Sequence, residues 1–416
     1  MPAQVPEPED EHVGADEEDD EALDDRGEIP REVGAAGILL GALAFWVSLP
    51  PTETTVVAIP IVVGVIGMAL GAYAIAAGER RAGWLAVVAC VLGILLGIVA
   101  QRAGRENLET TVVWGSLVAS MLVSATPLTY AAIGGLYSER SGVVNIGLEG
   151  MMLMGAFFGI WGAATTHHWI LGILIAMAAG GALALVYAFF AIHLRADQVV
   201  GGTAMNFLAL GITGYLFIDI YGSNGTPDLN GAERVPDITI SHSSGFFSQA
   251  FGDLNLLIWI SFLLLIVTYV LVFRTPLGLR LRAVGEHPRA ADTAGISVFK
   301  TRYLAVTFSG MLAAVGGAYL SIGFVHSFNQ NMTEGRGFIA LAALIFGRWR
   351  PFGAFAAALL FGFSGALAQR LGGVQAWGSY AVLFQALPYV LTLIAVAGLI
   401  GRSIPPAADG QPYQKQ

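Results

Sequence analysis

The sequence predicts an all-α polytopic membrane protein, on three observations. Hydrophobic residues fill 55% of its 416 positions and charged ones only 12%, against about 25% charged in soluble domains. About a dozen apolar segments recur along it, many reaching the roughly 20 residues a helix needs to cross a hydrocarbon core. These runs are continuous rather than alternating, which excludes an outer-membrane barrel and leaves helices as the spanning element.

The chain opens on an acidic tail, residues 1–33. Its first 32 residues hold 14 acidic and 2 basic side chains, a local charge of −12, so a net charge of −9 leaves +3 for the remainder. With almost no large apolar residues the tail is expected to be disordered and solvated, docking on a partner being the alternative. It lacks the basic start and early apolar run of a signal peptide.

Apolar segments at 35–49, 55–77 and 82–100 come next and form an N-terminal group, residues 34–101. The single cysteine, Cys90, sits inside one of them, so no disulfide framework or cysteine metal site is expected, only a small residue facing lipid or another helix. Nine further segments follow: 110–132, 150–166, 169–193, 198–220, 256–273, 303–324, 337–347, 353–371 and 381–401. The segments 35–49 and 337–347 are short for a full span and read as interfacial or broken.

Arg and Lys in short loops set the orientation. Arg81, Arg195, the cluster Phe273–Arg302, Arg350 and Arg402 share one side if every segment crosses once, and that side is the cytoplasm, with both termini there. Arg102 and Arg105 fall on the other side. The long polar loop 222–255 is external and reads as a simple connector; residues 404–416 form a short tail.

An internal echo links two stretches. "NIGLEGMMLMGAFFG" from Asn145 and "NMTEGRGFIALAALIFG" from Asn331 each place Glu-Gly shortly after Asn and before a Gly/Ala-rich apolar run. The topology makes the two runs point in opposite directions, the inverted-repeat plan of transporters whose solute sites lie at broken helices near the membrane midplane.

Catalysis finds little support. Only two lysines occur, Lys300 and Lys415, and neither follows a glycine, so the chain has no P-loop. His167-His168 falls at an external helix end and reads as an interface marker rather than a metal ligand pair. Polar residues inside apolar segments are costly and usually face a cavity or another helix. Asn145, Glu149, Thr203, Asn206, Asn329, Asn331 and Gln385 are therefore the candidates for a solute pathway. Glu149 would stand at a helix N-terminus, where the dipole favours a carboxylate; it could meet solute or pair with Arg140. Gly155 and Gly159 permit close helix packing.

The cytoplasmic loop 274–302 contains "EHPRAADTAGISVFKTR". Pro288 suits a first helical turn and Gly295 a C-terminal stop, giving a short helix over Pro288–Ala294; Ser297 can cap the next. Its small residues Ala290, Ala291 and Ala294 would make a compact knob for another protein to grip, an ordinary loop helix being the alternative.

"LYSERSGVVNIGLEGMMLMGAFFG" together with "GLRLRAVGEHPRAADTAGI" resembles the permease subunits of ABC importers of the simple-sugar and nucleoside group, within the superfamily that includes ribose and branched-chain amino-acid permeases. "SGVVNIGLEG" is closer to the nucleoside branch served by a binding lipoprotein. The resemblance covers about Glu106 to Arg402 and implies a permease core, residues 102–403, of about 8–10 transmembrane helices with inverted repeats, beyond the three extra N-terminal segments. It implies that a coupling helix, carried by Glu286, Pro288, Arg289, Ala290, Ala291, Asp292, Ala294 and Gly295, seats in a separate ABC ATPase. ATP and Mg would be bound by that partner and no cofactor by this chain. A second homologous permease, an extracytoplasmic substrate-binding lipoprotein, membrane lipid and a small-molecule solute complete the expected partners, with no nucleic acid. The implied location is the bacterial cytoplasmic membrane. A secondary carrier or a passive facilitator is the alternative.

Overall fold

Long apolar runs with few breakers fold as helices, and the computed structural model describes residues 58–102 and 114–372, except 223–224, 228 and 241–244, together with 404–415 and, within 33–44, all but 35 and 42. Gln385, the segment 381–401 and the acidic tail up to residue 32 lie outside the described residues. Among those described, eight helices are long and apolar enough to cross a membrane. The described residues fall into two compact units, one ending at Arg102 and one beginning at Trp114.

In the first unit, α1 (Ala58–Ala76) packs against α2 (Arg80–Arg102). Cys90 is fully buried and its thiol donates to the Gly37 carbonyl at 3.2 Å. It faces helices, not lipid. Val62, Ile66, Trp84 and Leu92 are exposed, as befits surfaces that meet acyl chains.

The second unit holds α3 (Trp114–Arg140), α4 (Leu148–Thr166), α5 (Trp169–Ala188), α6 (Gln198–Tyr221), α7 (Phe246–Phe251), α8 (Leu256–Arg274), α9 (Pro276–Glu286), α10 (Pro288–Thr293), α11 (Val298–Ala318), α12 (Arg336–Phe346) and α13 (Pro351–Gly372). Wide π-type turns prolong α5 to His193 and α11 to Val325. α4 and α11 form the centre, with α5 against both and α3 against α11, α12 and α13. Close approach explains the glycine at 155: a Cβ there would sit 2.1 Å from the Ala314 carbonyl oxygen of α11.

The segment 337–347, too short to span, is α12, 11 residues long. That is about 16 Å of helix, half the roughly 30 Å of a hydrocarbon core. Two left-handed turns bracket it: Asn331, Glu334 and Gly335 before, Arg348 and Trp349 after.

The loop 222–255 is not the simple connector expected. Strands β1 (Asp237–Thr239) and β2 (Asp253–Asn255) pair antiparallel, with Asp237 opposite Asn255, and α7 lies between them. Leu229, Val235 and Ala250 bury apolar surface, and Asn255 caps α8 by accepting from the Leu257 N–H while donating to the Val235 and Gly323 carbonyls. Glu233 accepts from His167 and from the Asn230 N–H, each at 2.6 Å. Those donors hold its carboxyl below the usual range. His168 caps α5 through the Ile170 N–H.

The C-terminal segment 404–415 is likewise no free tail. Ala408 donates to the Gly285 carbonyl and Ala407 to the Glu286 carboxylate. Tyr413 packs with Val284, Ala291 and Val298 and meets Phe299 edge-on.

Candidate functional site

The break between α3 and α4, residues 141–147, carries backbone groups into the bundle without a helix to satisfy them, and such backbone survives at membrane depth only where protein supplies partners. Each neighbour contributes one. Ser138 donates to the Val143 carbonyl and Arg302 to the Ser141 carbonyl. Gln198 accepts from the Val144 N–H at 2.8 Å, and the Tyr187 hydroxyl donates to the Val144 carbonyl. Asn145 is fully buried, accepts from the Gly147 N–H at 3.1 Å and donates to Ser309 Oγ at 3.0 Å. Asn206 clasps the end of the break from α6, donating to the Ile146 carbonyl at 3.0 Å and accepting from the Gly150 N–H at 2.8 Å.

Glu149, in the first turn of α4 and only 7% exposed, does not pair with Arg140. Its two carboxylate oxygens accept from the Gly335 N–H at 2.8 Å and the Gly337 N–H at 2.6 Å. These are amides at the start of α12, so one carboxylate sits at two helix N-termini at once. The two echoing stretches are thus in contact, one entering the bundle after α3 and the other after α11. Gly337 lies so close that a Cβ would stand 2.4 Å from the Glu149 nitrogen. Arg140 instead donates to the Trp349 carbonyl at 3.1 and 2.9 Å, tying the end of α3 to the turn after α12.

The remaining candidates separate cleanly. Thr203 is half-buried and donates to the Val199 carbonyl of its own helix. Asn329 and Asn331 are exposed, and neither side chain is hydrogen-bonded among the described residues. Glu334 is exposed and lies 3.6 Å from Arg336. The structure brings Asn145, Glu149 and Asn206 together as a buried clasp and leaves Asn329 and Asn331 as open polar groups on the segment that descends to it.

At the other end of α12 a second polar cluster forms, which the sequence reading missed. Trp349 donates to Glu139, and fully buried Arg302 donates to the Ser141 and Gln411 carbonyls. Asp409 of the C-terminal segment stands within electrostatic reach of both charged groups; burial pushes its carboxyl up to about 7, against the pull of the Gly410 N–H and Arg302. Arg302 reads from sequence as one of the cytoplasmic cluster Phe273–Arg302, and Glu139 lies beyond the apolar segment 110–132; in the fold both are buried, and the docked C-terminal segment joins them in an interior cluster.

The loop helix forms as α10, Pro288–Thr293, with Pro288 in its first turn and Gly295 at a φ of 82° after it. Ser297 occupies the N-cap of α11 without a side-chain capping bond, so that expectation is corrected. Arg289, Ala290, Ala294 and Gly295 are exposed, as is Glu286, while Asp292 is half-buried. Ala291 is not on the knob's surface: it is 4% exposed and covered by Tyr413 and Val298.

A profile of the family described as branched-chain amino acid transport system / permease component matches residues 117–396. The guanosine ABC transporter permease protein NupQ of Bacillus subtilis is 43% identical over 72% of this chain and 96% of its own length. The nucleoside ABC transporter permease protein NupC of Lactococcus lactis is 38% identical over the same shares, 72% and 96%. A putative glucose ABC transporter permease protein, TsgC13 of Haloferax volcanii, is 37% identical over 61% of the chain and 77% of its own length. No solved structure matches.

Proposed function

Because the chain belongs to the branched-chain amino acid transport system / permease component family, we propose that it is the membrane-spanning permease subunit of an ATP-driven ABC importer for nucleosides. It is not itself the ATPase; a separate subunit binds and hydrolyses ATP. Solute class is supported by the two relatives named for guanosine and nucleosides, each covered over 96% of its length, where the glucose relative is covered over 77%.

The observation that carries the mechanism is the Glu149 clasp. Two half-inserted stretches meet there, and one carboxylate caps the N-terminus of α12. A short helix held at one end by a carboxylate and at the other by Arg140 is an element that can move as a body. Alternating access then works as follows. An extracytoplasmic lipoprotein delivers nucleoside to the external mouth beside Asn329 and Asn331, whose side chains can bond ribose hydroxyls and base edges. The ATPase grips α10 through Arg289, Ala290 and Ala294. Motion passes along α9 and α11 to the clasp. Clustering of Arg140, Arg195, Arg274, Arg289 and Lys300 at one end supports a cytoplasmic location for that end and for both termini, in a bacterial cytoplasmic membrane. A second, related permease completes the pore. The bonds of His167, His168 and Glu233 are structural, and neither ATP nor Mg has a role within this chain.

The test is reconstitution with and without the ATPase and lipoprotein, following labelled guanosine. Uptake that needs both partners and ATP, and that unlabelled glucose fails to inhibit, is the expected result. Full uptake by the permease alone would establish a carrier or facilitator instead.

A further inference from the structure

Between α8, α9 and α11 a cleft of about 600 Å³ opens beside the loop helix. Its deep walls are Tyr137, Leu271, Ala305 and Phe308, residues of spanning helices, and its rim carries Arg280 and Lys300. A second groove of about 510 Å³ adjoins it, sharing Leu271, Leu277 and Arg280 and running along Ile266 and Val270 of α8. Neither Arg280 nor Lys300 has an ion-pair partner among the described residues.

The level of this cleft is fixed by what surrounds it. Leu304, on a spanning helix at its edge, is 72% exposed. α9 is amphipathic: Leu277 and Leu279 are 65% and 61% exposed and flank or precede Arg280 and Arg282. A helix with that pattern lies in the membrane interface with its leucines among acyl chains and its cations at headgroup height. The cleft is therefore apolar below, where hydrocarbon is, and cationic above, where headgroups are.

We propose that this cleft is a binding site for an anionic phospholipid. One acyl chain lies against Leu271, Ala305 and Phe308, and the headgroup phosphate is held between Arg280 and Lys300. Cations without ion-pair partners among the described residues, at the rim of a largely apolar groove, match an anion that brings its own hydrocarbon, and basic pockets between spanning helices select such headgroups. A free phosphate has nothing to fill the apolar floor. One edge of the cleft, Ala294–Ser297, belongs to the loop proposed to meet the ATPase, but its walls at Leu271, Ala305 and Phe308 lie on spanning helices, where an acyl chain and not a water-soluble surface fits. A bound lipid would brace α9 against α11, the two helices that carry α10 between them, so it would stiffen the loop on which coupling rests. The choice of leaflet rests on the sidedness proposed above; the binding does not.

The full-length protein is tested in nanodiscs of phosphatidylcholine containing a minor fraction of photoactivatable phosphatidylglycerol, with crosslinked peptides read by mass spectrometry. Labelling should concentrate on residues 266–281 and 297–308. Arg280→Gln with Lys300→Gln, both exposed positions, should lower it by about tenfold while a photoactivatable phosphatidylcholine probe labels as before. Leu304→Trp, which narrows the cleft mouth without touching the cations, should lower it as well. Equal labelling by the two lipids, or unchanged labelling in the double variant, overturns the proposal. Displacement of the lipid by inorganic phosphate overturns it in favour of a free-anion site. Loss of labelling on adding the ATPase would assign the cleft to that subunit.

Discussion

Glu149-Gly150 and Glu334-Gly335 stand in matching places of two echoing stretches, yet their carboxylates have opposite fates. Glu149 is buried and accepts two backbone amides of the other stretch. Glu334 is exposed, with a φ of 46°, and only its neighbour Arg336 approaches it. The difference is one of helix register. Glu149 is the second residue of α4, so its side chain reaches past the helix start. Glu334 precedes the cap of α12, inside a left-handed turn, and points away. The two stretches share a backbone break but not the partners of their carboxylates.

The largest expected effect follows directly. Glu149→Ala strips two buried amides of their acceptor, at about 1–3 kcal/mol each, and should lower the unfolding temperature markedly in detergent. Glu334→Ala, removing an exposed pair, should stay within about 0.5 kcal/mol; equal losses would erase the asymmetry.

Glycines of the second stretch sharpen the contrast. Gly337→Ala places a methyl 2.4 Å from the Glu149 nitrogen and must push α4 and α12 apart. At Gly335 nothing lies within 4 Å, and only the left-handed φ of 82° opposes a side chain. Gly335→Ala should therefore lose about 1 kcal/mol, measurable by denaturation, and Gly337→Ala clearly more. Asn206→Leu removes both of its bonds to the break and should fall between, at about 1–3 kcal/mol.

The loop helix offers a separate comparison between neighbours. Ala290→Asp should leave folding intact and abolish ATPase stimulation, because Ala290 is exposed. Ala291→Asp should also destabilise, because its carboxylate would be buried under Tyr413; identical stability in the two would contradict the packing.

The smallest effect concerns pH. Asp409 has its carboxyl raised to about 7 by burial, facing Glu139 and Arg302. A group raised on docking contributes fully below its ordinary value of 3.8 and loses that contribution as pH rises through about 7. Protection from hydrogen exchange at 404–415, corrected for the intrinsic pH dependence of exchange, should therefore fall from about pH 4 to about pH 7, the window between those two values. Asp409→Asn should remove the dependence.

Several elements were readable from residues alone. Apolar run lengths gave the spanning helices of the second unit to within a few residues, except that α3 continues to Arg140, because Tyr137, Ser138 and Glu139 find partners inside the bundle. The shortness of 337–347 already marked it as interfacial or broken rather than a full span, and Pro288 and Gly295 marked α10. What could not be read was partnership. Asn145, Glu149 and Asn206 were visible as polar residues in apolar surroundings, but their bonds to backbone groups up to 188 residues away have no trace in local pattern. The docked C-terminal segment carries no periodicity, and its burial of Ala291 reverses what a small-residue surface suggested.

In the proposed mechanism translocation depends on the Glu149 clasp and not on the echo as such. Uptake of labelled guanosine by the reconstituted complex, with Glu149→Ala and Glu334→Ala compared side by side at equal protein, tests it most directly. Loss of about tenfold or more in the first, with the second near wild type, is the predicted result; equal uptake by both would contradict it.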